Sequence, residues 1–263
     1  MCNMKITVLG CRGSVPTGAK EFSKYGSDTS CYLVETDTQA VFLDAGTGIV
    51  KAPDIGNRKI SLVFSHFHLD HIMGLTFFPY LSKECDISIY GGGNAMEAGA
   101  TLDLIFAPPF WPARLGEYPS NLSFFGASGE WDVGDIHFKA IPGNHPDGAM
   151  IFRITSGKAS FVYATDYEYT DRDLDRISEF SKDTDLIIYD GQYTREQADK
   201  FKGYGHSTKE SGLNVLEHSG AKQILFTHHD PRHNDVFLDR ESSRISDLCK
   251  DAFLAYPGKV IEL

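Results

Sequence analysis

The run of apolar and polar positions along this chain predicts short strands interrupted by helices. Residues 5–9 read as a first strand closed by Gly10, and residues 30–35 and 39–43 as a hairpin around Thr36-Asp37-Thr38. Residues 60–64 form an apolar run of the kind that makes a buried strand, and residues 72–81 carry helical spacing with Asp70 as the N-cap. A strand at 86–90, a helix at 95–105 and strands at 122–127 and 131–141 follow, the last turning at Val133-Gly134-Asp135. Strands at 149–154 and 160–164 come next. The closing third alternates strand and helix: helices at 171–182, 207–219 and 236–253, strands at 185–189, 223–226 and 259–262. This pattern alone predicts an α/β chain with mixed sheets.

Several loops change the picture. Residues 11–27 are rich in Gly and Ser, suited either to a plain surface connection or to lining a site. Gly91-Gly92-Gly93-Asn94 lacks the Lys-Ser/Thr of a phosphate-cradling loop and reads as a turn. Residues 106–112, aromatic and proline-rich, suit core padding, a lid or an interface between copies.

The densest chemistry follows the strand at 60–64. In Ser65-His66-Phe67-His68-Leu69-Asp70-His71, extended backbone would place His66 and His68 on one face, aimed at one point. Asp70 and His71, in the turn beyond, can address a second point nearby. Imidazole and carboxylate suit borderline divalent ions, and this density of both predicts two metals side by side. Other strands also end in chemistry-bearing residues: Asp44, His145, Asp166, Asp190 and the His228-His229 pair. Taken alone, each of these is equally a turn or cap residue.

The His-x-His-x-Asp-His tract resembles the signature of the metallo-β-lactamase fold hydrolases, and the likeness runs from Gly10 to Leu263. It implies an αββα sandwich, two mixed β-sheets flanked by helices, with residues 1–263 as a single hydrolase domain. It implies one metal held by His66, His68, His145 and a bridging Asp166. A second would take Asp70, His71, Asp166 and His228, with His229 the competing choice, and Asp44 would brace the histidines from behind. The ions are expected to be zinc, with manganese or iron as alternatives. Gly205-His206-Ser207-Thr208 resembles the Ala-His-Ser-Thr motif of the tRNA 3′-processing phosphodiesterases, whose histidine pairs with an upstream acid and protonates the leaving group. Asp190 stands at the matching upstream position, where those enzymes carry glutamate. The resemblance thus implies catalytic roles for Asp70, His206 and Asp190, and an activity on a small or cyclic phosphodiester, as in the phosphoribosyl cyclic phosphodiesterase. A lactonase or thioesterase would use the same metals without need of His206. The di-iron oxidoreductase branch replaces the second ligand with glutamate, whereas this chain has His68. Arg12, Ser14, Tyr193 and Tyr204 are further candidates for substrate contact.

Composition narrows the partners. The 263-residue chain carries a formal charge of −11, which argues against a general nucleic-acid surface, and it shows no inserted basic, glycine-rich arm to grip tRNA. Five scattered cysteines, with no Cys-x-x-Cys pair, suit a reducing compartment. Met1-Cys2-Asn3-Met4-Lys5 leads into the first strand without a signal-peptide core, and no apolar stretch reaches membrane-spanning length. A cytoplasmic protein, free or as a homo-oligomer, is expected.

Overall fold

The apolar runs become two seven-stranded sheets packed face to face. The structure is a computed structural model that describes residues 4–263; Met1, Cys2 and Asn3 lie outside the described residues. The first sheet contains β1 (Lys5–Gly10), β2 (Cys31–Glu35), β3 (Gln39–Leu43), β4 (Lys59–Val63), β5 (Asp86–Tyr90) and β6 (Asn121–Phe125), with β14 (Val260–Glu262) beside β1. The second contains, in sequence order, β7 (Glu130–Val133), β8 (Ile136–Gly143), β9 (Ala149–Ser156), β10 (Ala159–Ala164), β11 (Leu186–Asp190), β12 (Ile224–Thr227) and β13 (Ala252–Leu254). Each sheet is mixed. Pairing is antiparallel from β14 to β3 and from β7 to β10, then parallel from β3 to β6 and from β10 to β13.

Strand periodicity divides the core into layers. On β2, Tyr32 and Val34 face the second sheet, where Phe138, Phe152, Phe161 and Ile188 meet them, while Leu33 faces the outer helices. The outer layer on the first sheet packs Phe42, Leu62 and Ile89 against Ile72, Leu75 and Phe78, and against Leu102 of α2 (Ala95–Ile105). On the second sheet, Val162, Ile187 and Phe226 pack against α3 (Leu174–Phe180), α5 (Lys209–Ser219) and α6 (Asp235–Leu248) through Ile177, Val215 and Leu238. Buried on both faces, β3, β10, β11 and β12 carry largely apolar sequence. The expected αββα sandwich is the one observed. Among the described residues, no helix is long and apolar enough to cross a membrane.

Three expected elements differ. The helix expected at 72–81 is instead α1, Leu69–Ile72, followed by a 3₁₀ turn at Met73–Phe77, with His68 rather than Asp70 before its first residue. Tertiary contact sets that boundary: the N–H of Gly74 donates to the carbonyl of Ala45 at 3.0 Å, which draws the chain onto the loop after β3. The last helix ends at Leu248, and residues 252–254 leave it to pair with β12. The helix expected at 207–219 begins at Lys209, with Thr208 as its cap. One short helix, α4 (Arg195–Lys200), was not foreseen, and its Thr194–Gln197 capping box is the signal that marks it.

The parallel strands β3, β4, β10, β11 and β12 all end toward one rim, the usual location of ligand sites in α/β sheets. Gly74 helps set that rim, since a Cβ there would stand 2.1 Å from the carbonyl oxygen of Gly46. Gly74→Ala is therefore expected to push α1 off the loop and lower unfolding stability by about 1–3 kcal/mol, measured by urea denaturation. An unchanged midpoint would show that the contact relaxes freely.

Candidate metal centre

Each candidate ligand sits just past a strand end, where the chain must turn sharply. Asp44, Asp166 and His228 all adopt left-handed backbone, with φ of 59°, 52° and 59°, and so turn their side chains back over the rim. His66 and His68 follow β4, Asp70 and His71 lie in α1, His145 follows β8, and Asp166 follows β10.

The structure brings them to two adjoining points. At one, the rings of His66, His68 and His145 lie with centroids 4.5–4.9 Å apart. His68 presents Nδ1, 3.1 Å from His145 Nε2. At the other, Asp70 Oδ2, His71 Nε2, Asp166 Oδ2 and His228 Nε2 approach one another at 3.1–3.4 Å. Asp166 faces both points: Oδ1 lies 3.8 and 4.0 Å from His66 and His145, and Oδ2 lies 3.1 and 3.3 Å from His71 and His228.

These residues fit divalent ions. Four N/O ligands arranged tetrahedrally at zinc distances stand about 3.3–3.4 Å from each other, close to the spacing of the Asp70 group. At the first point, His66 Nε2 is buried without a hydrogen-bond partner, an orphaned acceptor or donor that a metal would satisfy. Both groups of side chains could hold a metal ion.

Behind the ligand atoms, the other imidazole nitrogens are held. His71 Nδ1 lies 2.9 Å from Asp44 Oδ2, His145 Nδ1 is 3.0 Å from the carbonyl of Gly205, and His228 Nδ1 is 2.6 Å from Gln192 Oε1. Each of these partners accepts, so Nδ1 carries the proton and Nε2 is left to bind. Asp44 also accepts from the N–H of Ser65 at 2.7 Å and from the hydroxyl of Tyr163 at 2.7 Å. Asp70 Oδ2 accepts from the N–H of Ser14 at 2.8 Å. Sequence reasoning missed Gln192, Tyr163, Gly205 and the role of Ser14; only Gln192, following Asp190-Gly191 at a strand end, carried a readable local signal.

His229 is turned away. Its Nε2 donates to the carbonyl of Ala255 at 2.8 Å, so of the pair only His228 faces the cluster. Arg12 is fully buried and donates to the carbonyls of Gly26, Asp230 and His233, which makes it a clamp between loops. Tyr204 is exposed and Tyr193 stacks edge-on against His206.

His206 lies beside the second point, its ring stacked on His228 at 4.9 Å and its Nδ1 2.8 Å from Asp190 Oδ2. Asp190 is fully buried and also accepts from the N–H groups of Asp166, Gln192 and Ser207. Glu168 fixes the loop before His206 by accepting from the N–H groups of Gly203 and Gly205. Burial opposes charge on His206, but Asp190, with Asp166 and Asp70 beyond it, raises its pKa to about 9. Burial likewise opposes charge on Asp166 and His71. Yet His228 and His71 hold Asp166 well below the carboxylate range, while Asp166, Asp70 and Asp44 hold His71 well above the imidazole range.

A family profile described as "Beta-lactamase superfamily domain" matches residues 39–229, a span that runs from β3 to His229 and takes in both groups of side chains. The chain belongs to this superfamily. The superfamily supports a hydrolase, and its fold implies divalent metal ions, which the two His/Asp groups here could hold. The probable metallo-hydrolase YhfI of Bacillus subtilis is 27% identical over 239 residues, 86% of each chain. The crystal structure of YhfI superposes with a TM-score of 0.75 at 22% identity, covering 100% of both chains. Human tRNase Z, short form, gives 0.68 at 17% identity with 98% of each chain covered. A diphosphatase of the PhnP family gives 0.69 at 18%, covering 99% of this chain and 98% of that one. These likenesses extend the superfamily fold over the whole chain.

Two predictions follow from the electrostatics. A proton and a metal cannot share His71 Nε2, so metal uptake releases protons and affinity falls as pH falls. Zinc titration of the chelator-stripped protein at about pH 8 and about pH 6 should show weaker binding at the lower value; equal affinity would place the metal elsewhere. In the same metal-free protein, the His206 pKa stands above its ordinary 6.5. The stability that the His206–Asp190 pair contributes is thus full below about pH 6.5 and lost as pH rises through about 9. The melting-temperature gap between wild type and His206→Asn should close over that interval, and a gap constant with pH would show that His206 is neutral throughout.

Proposed function

We propose that this protein is a dinuclear metal-dependent phosphodiesterase acting on a small or cyclic phosphodiester. The observation that carries the reading is His206, held by a buried carboxylate at 2.8 Å and stacked directly on a candidate ligand. Hydrolysis of an ester with a poor leaving group needs a proton donor that is not itself a metal ligand, and His206 is placed to be one. In this reading His66, His68, His145 and Asp166 hold one ion, and Asp70, His71, Asp166 and His228 the other; zinc suits the donor set, with manganese and iron as alternatives. Divalent ions in such a site supply Lewis acidity and make hydroxide available near neutral pH.

The chain's own residues do the remaining work. Asp44, Gln192 and the Gly205 carbonyl keep His71, His228 and His145 in the tautomer that leaves Nε2 free. Asp190 fixes the His206 Nδ1 proton and favours the imidazolium, so Nε2 carries the proton passed to the departing oxygen. The named relatives support a phosphoryl substrate, since tRNase Z and a diphosphatase share the fold. The net charge of −11 supports a small substrate over tRNA or a long duplex.

His206→Ala should lower kcat by about 10²–10⁴-fold on an alkyl phosphodiester while leaving bis(p-nitrophenyl) phosphate, whose leaving group barely needs a proton, much less affected. Asp166→Ala should abolish both activities and reduce bound metal. Hydrolysis of a lactone or thioester, with no phosphodiester turned over by the metal-loaded wild type, would overturn the proposal.

A further inference from the structure

Gly92 and Gly93, from the glycine run at 91–93, line a cavity of about 410 Å³ that opens against His66 and His68. Phe67, Pro142, Ala149 and Met150 form its apolar wall. A larger cavity of about 640 Å³ elsewhere on the chain touches none of the clustered histidines or carboxylates. Two observations define what the smaller one can hold. Among the described residues, its only lining residues with ionisable side chains, the two histidines aside, are Glu97 and Asp147, and no Lys or Arg lines it. The Glu97 carboxylate, moreover, folds back from the first turn of α2 and accepts from the N–H of Gly93 at 2.8 Å. A glycine loop followed by a helix N-terminus is ordinarily a place for an external anion. Here the protein's own carboxylate takes that N–H. At Gly93 a Cβ would stand 3.2 Å from Glu97 Oε2, so a side chain at this position would crowd the carboxylate's seat.

Resting on the phosphodiesterase reading, we propose that this cavity receives one of the two ester groups of the substrate, that the group is uncharged with an apolar face, and that Glu97 keeps a second phosphate out. A group in the cavity is joined to a phosphorus near His66 and His68, because those residues are part of the cavity's lining. Phe67 and Met150 reward apolar area, while the free lone pairs of Glu97 and of Asp147 at the rim accept from hydroxyl or amino donors. A second phosphate would meet two carboxylates and no Lys or Arg side chain. A nucleoside with free hydroxyls matches this chemistry, whereas the phosphorylated end of a polynucleotide does not.

The test uses metal-loaded protein and three p-nitrophenyl diesters: methyl phosphate, thymidine 5′-phosphate with a free 3′-hydroxyl, and thymidine 5′-phosphate bearing a 3′-phosphate. The free nucleoside ester should show the highest kcat/KM, with the 3′-phosphorylated one lower by about tenfold. Glu97→Gln, which keeps an acceptor for the Gly93 N–H, should narrow that gap mainly through KM. Equal kcat/KM for all three, or a gap untouched by Glu97→Gln in a variant that melts like wild type, would overturn the cavity assignment and leave the phosphodiesterase reading standing. Failure of all three diesters would overturn the phosphodiesterase reading itself.

Discussion

Two sheets that each supply half of a reaction centre must be locked against sliding, and apolar packing gives little direction to such a lock. The buried carboxylate of Asp44 provides it. Standing at the end of β3 in the first sheet, it accepts from Tyr163 of β10 in the second, and from Ser65 and His71 on either side of the histidine tract. One side chain thereby fixes the separation of the sheets, the starting point of the tract and the tautomer of a candidate ligand. Loss of any donor would leave buried charge less compensated, a costly state in an apolar interior. Asp190 repeats the device in the second sheet, where four groups converge on its two oxygens.

The sequence made these features legible to different depths. Six consecutive residues, His66 to His71, declare a site because their spacing is local and their chemistry dense. His145, Asp166, Asp190 and His228 are isolated polar residues at strand ends, and only their order along a familiar pattern singles them out. Tyr163, the Gly205 carbonyl and the Ser14 N–H could not be read at all. They act through contacts between segments far apart in the chain, and one of them is a backbone oxygen that any residue would supply.

The same distinction explains the helix boundaries. Residues 95–105 form the helix their spacing announces, because Asn94 caps it locally. Residues 72–81 carry comparable spacing, yet Ile72 leaves helical geometry with φ of −129° and the chain folds onto the β3 loop. Residues 252–254 abandon a helical pattern for the open edge of β12. In both cases a hydrogen-bonding partner distant in sequence overrides a modest local preference.

Asp44, Asp166 and His228 hold left-handed backbone, a conformation that costs a non-glycine residue about 1–2 kcal/mol. Glycine would occupy the turn at Asp166 at less cost, so the fold does not need that carboxylate where the chemistry does. Its codon lies a single base from that of glycine. A lineage released from selection for catalysis could therefore shed the centre in one step while keeping the sandwich around it. The conformation that aims this carboxylate also makes it the position at which descendants of such a protein would first cease to be enzymes.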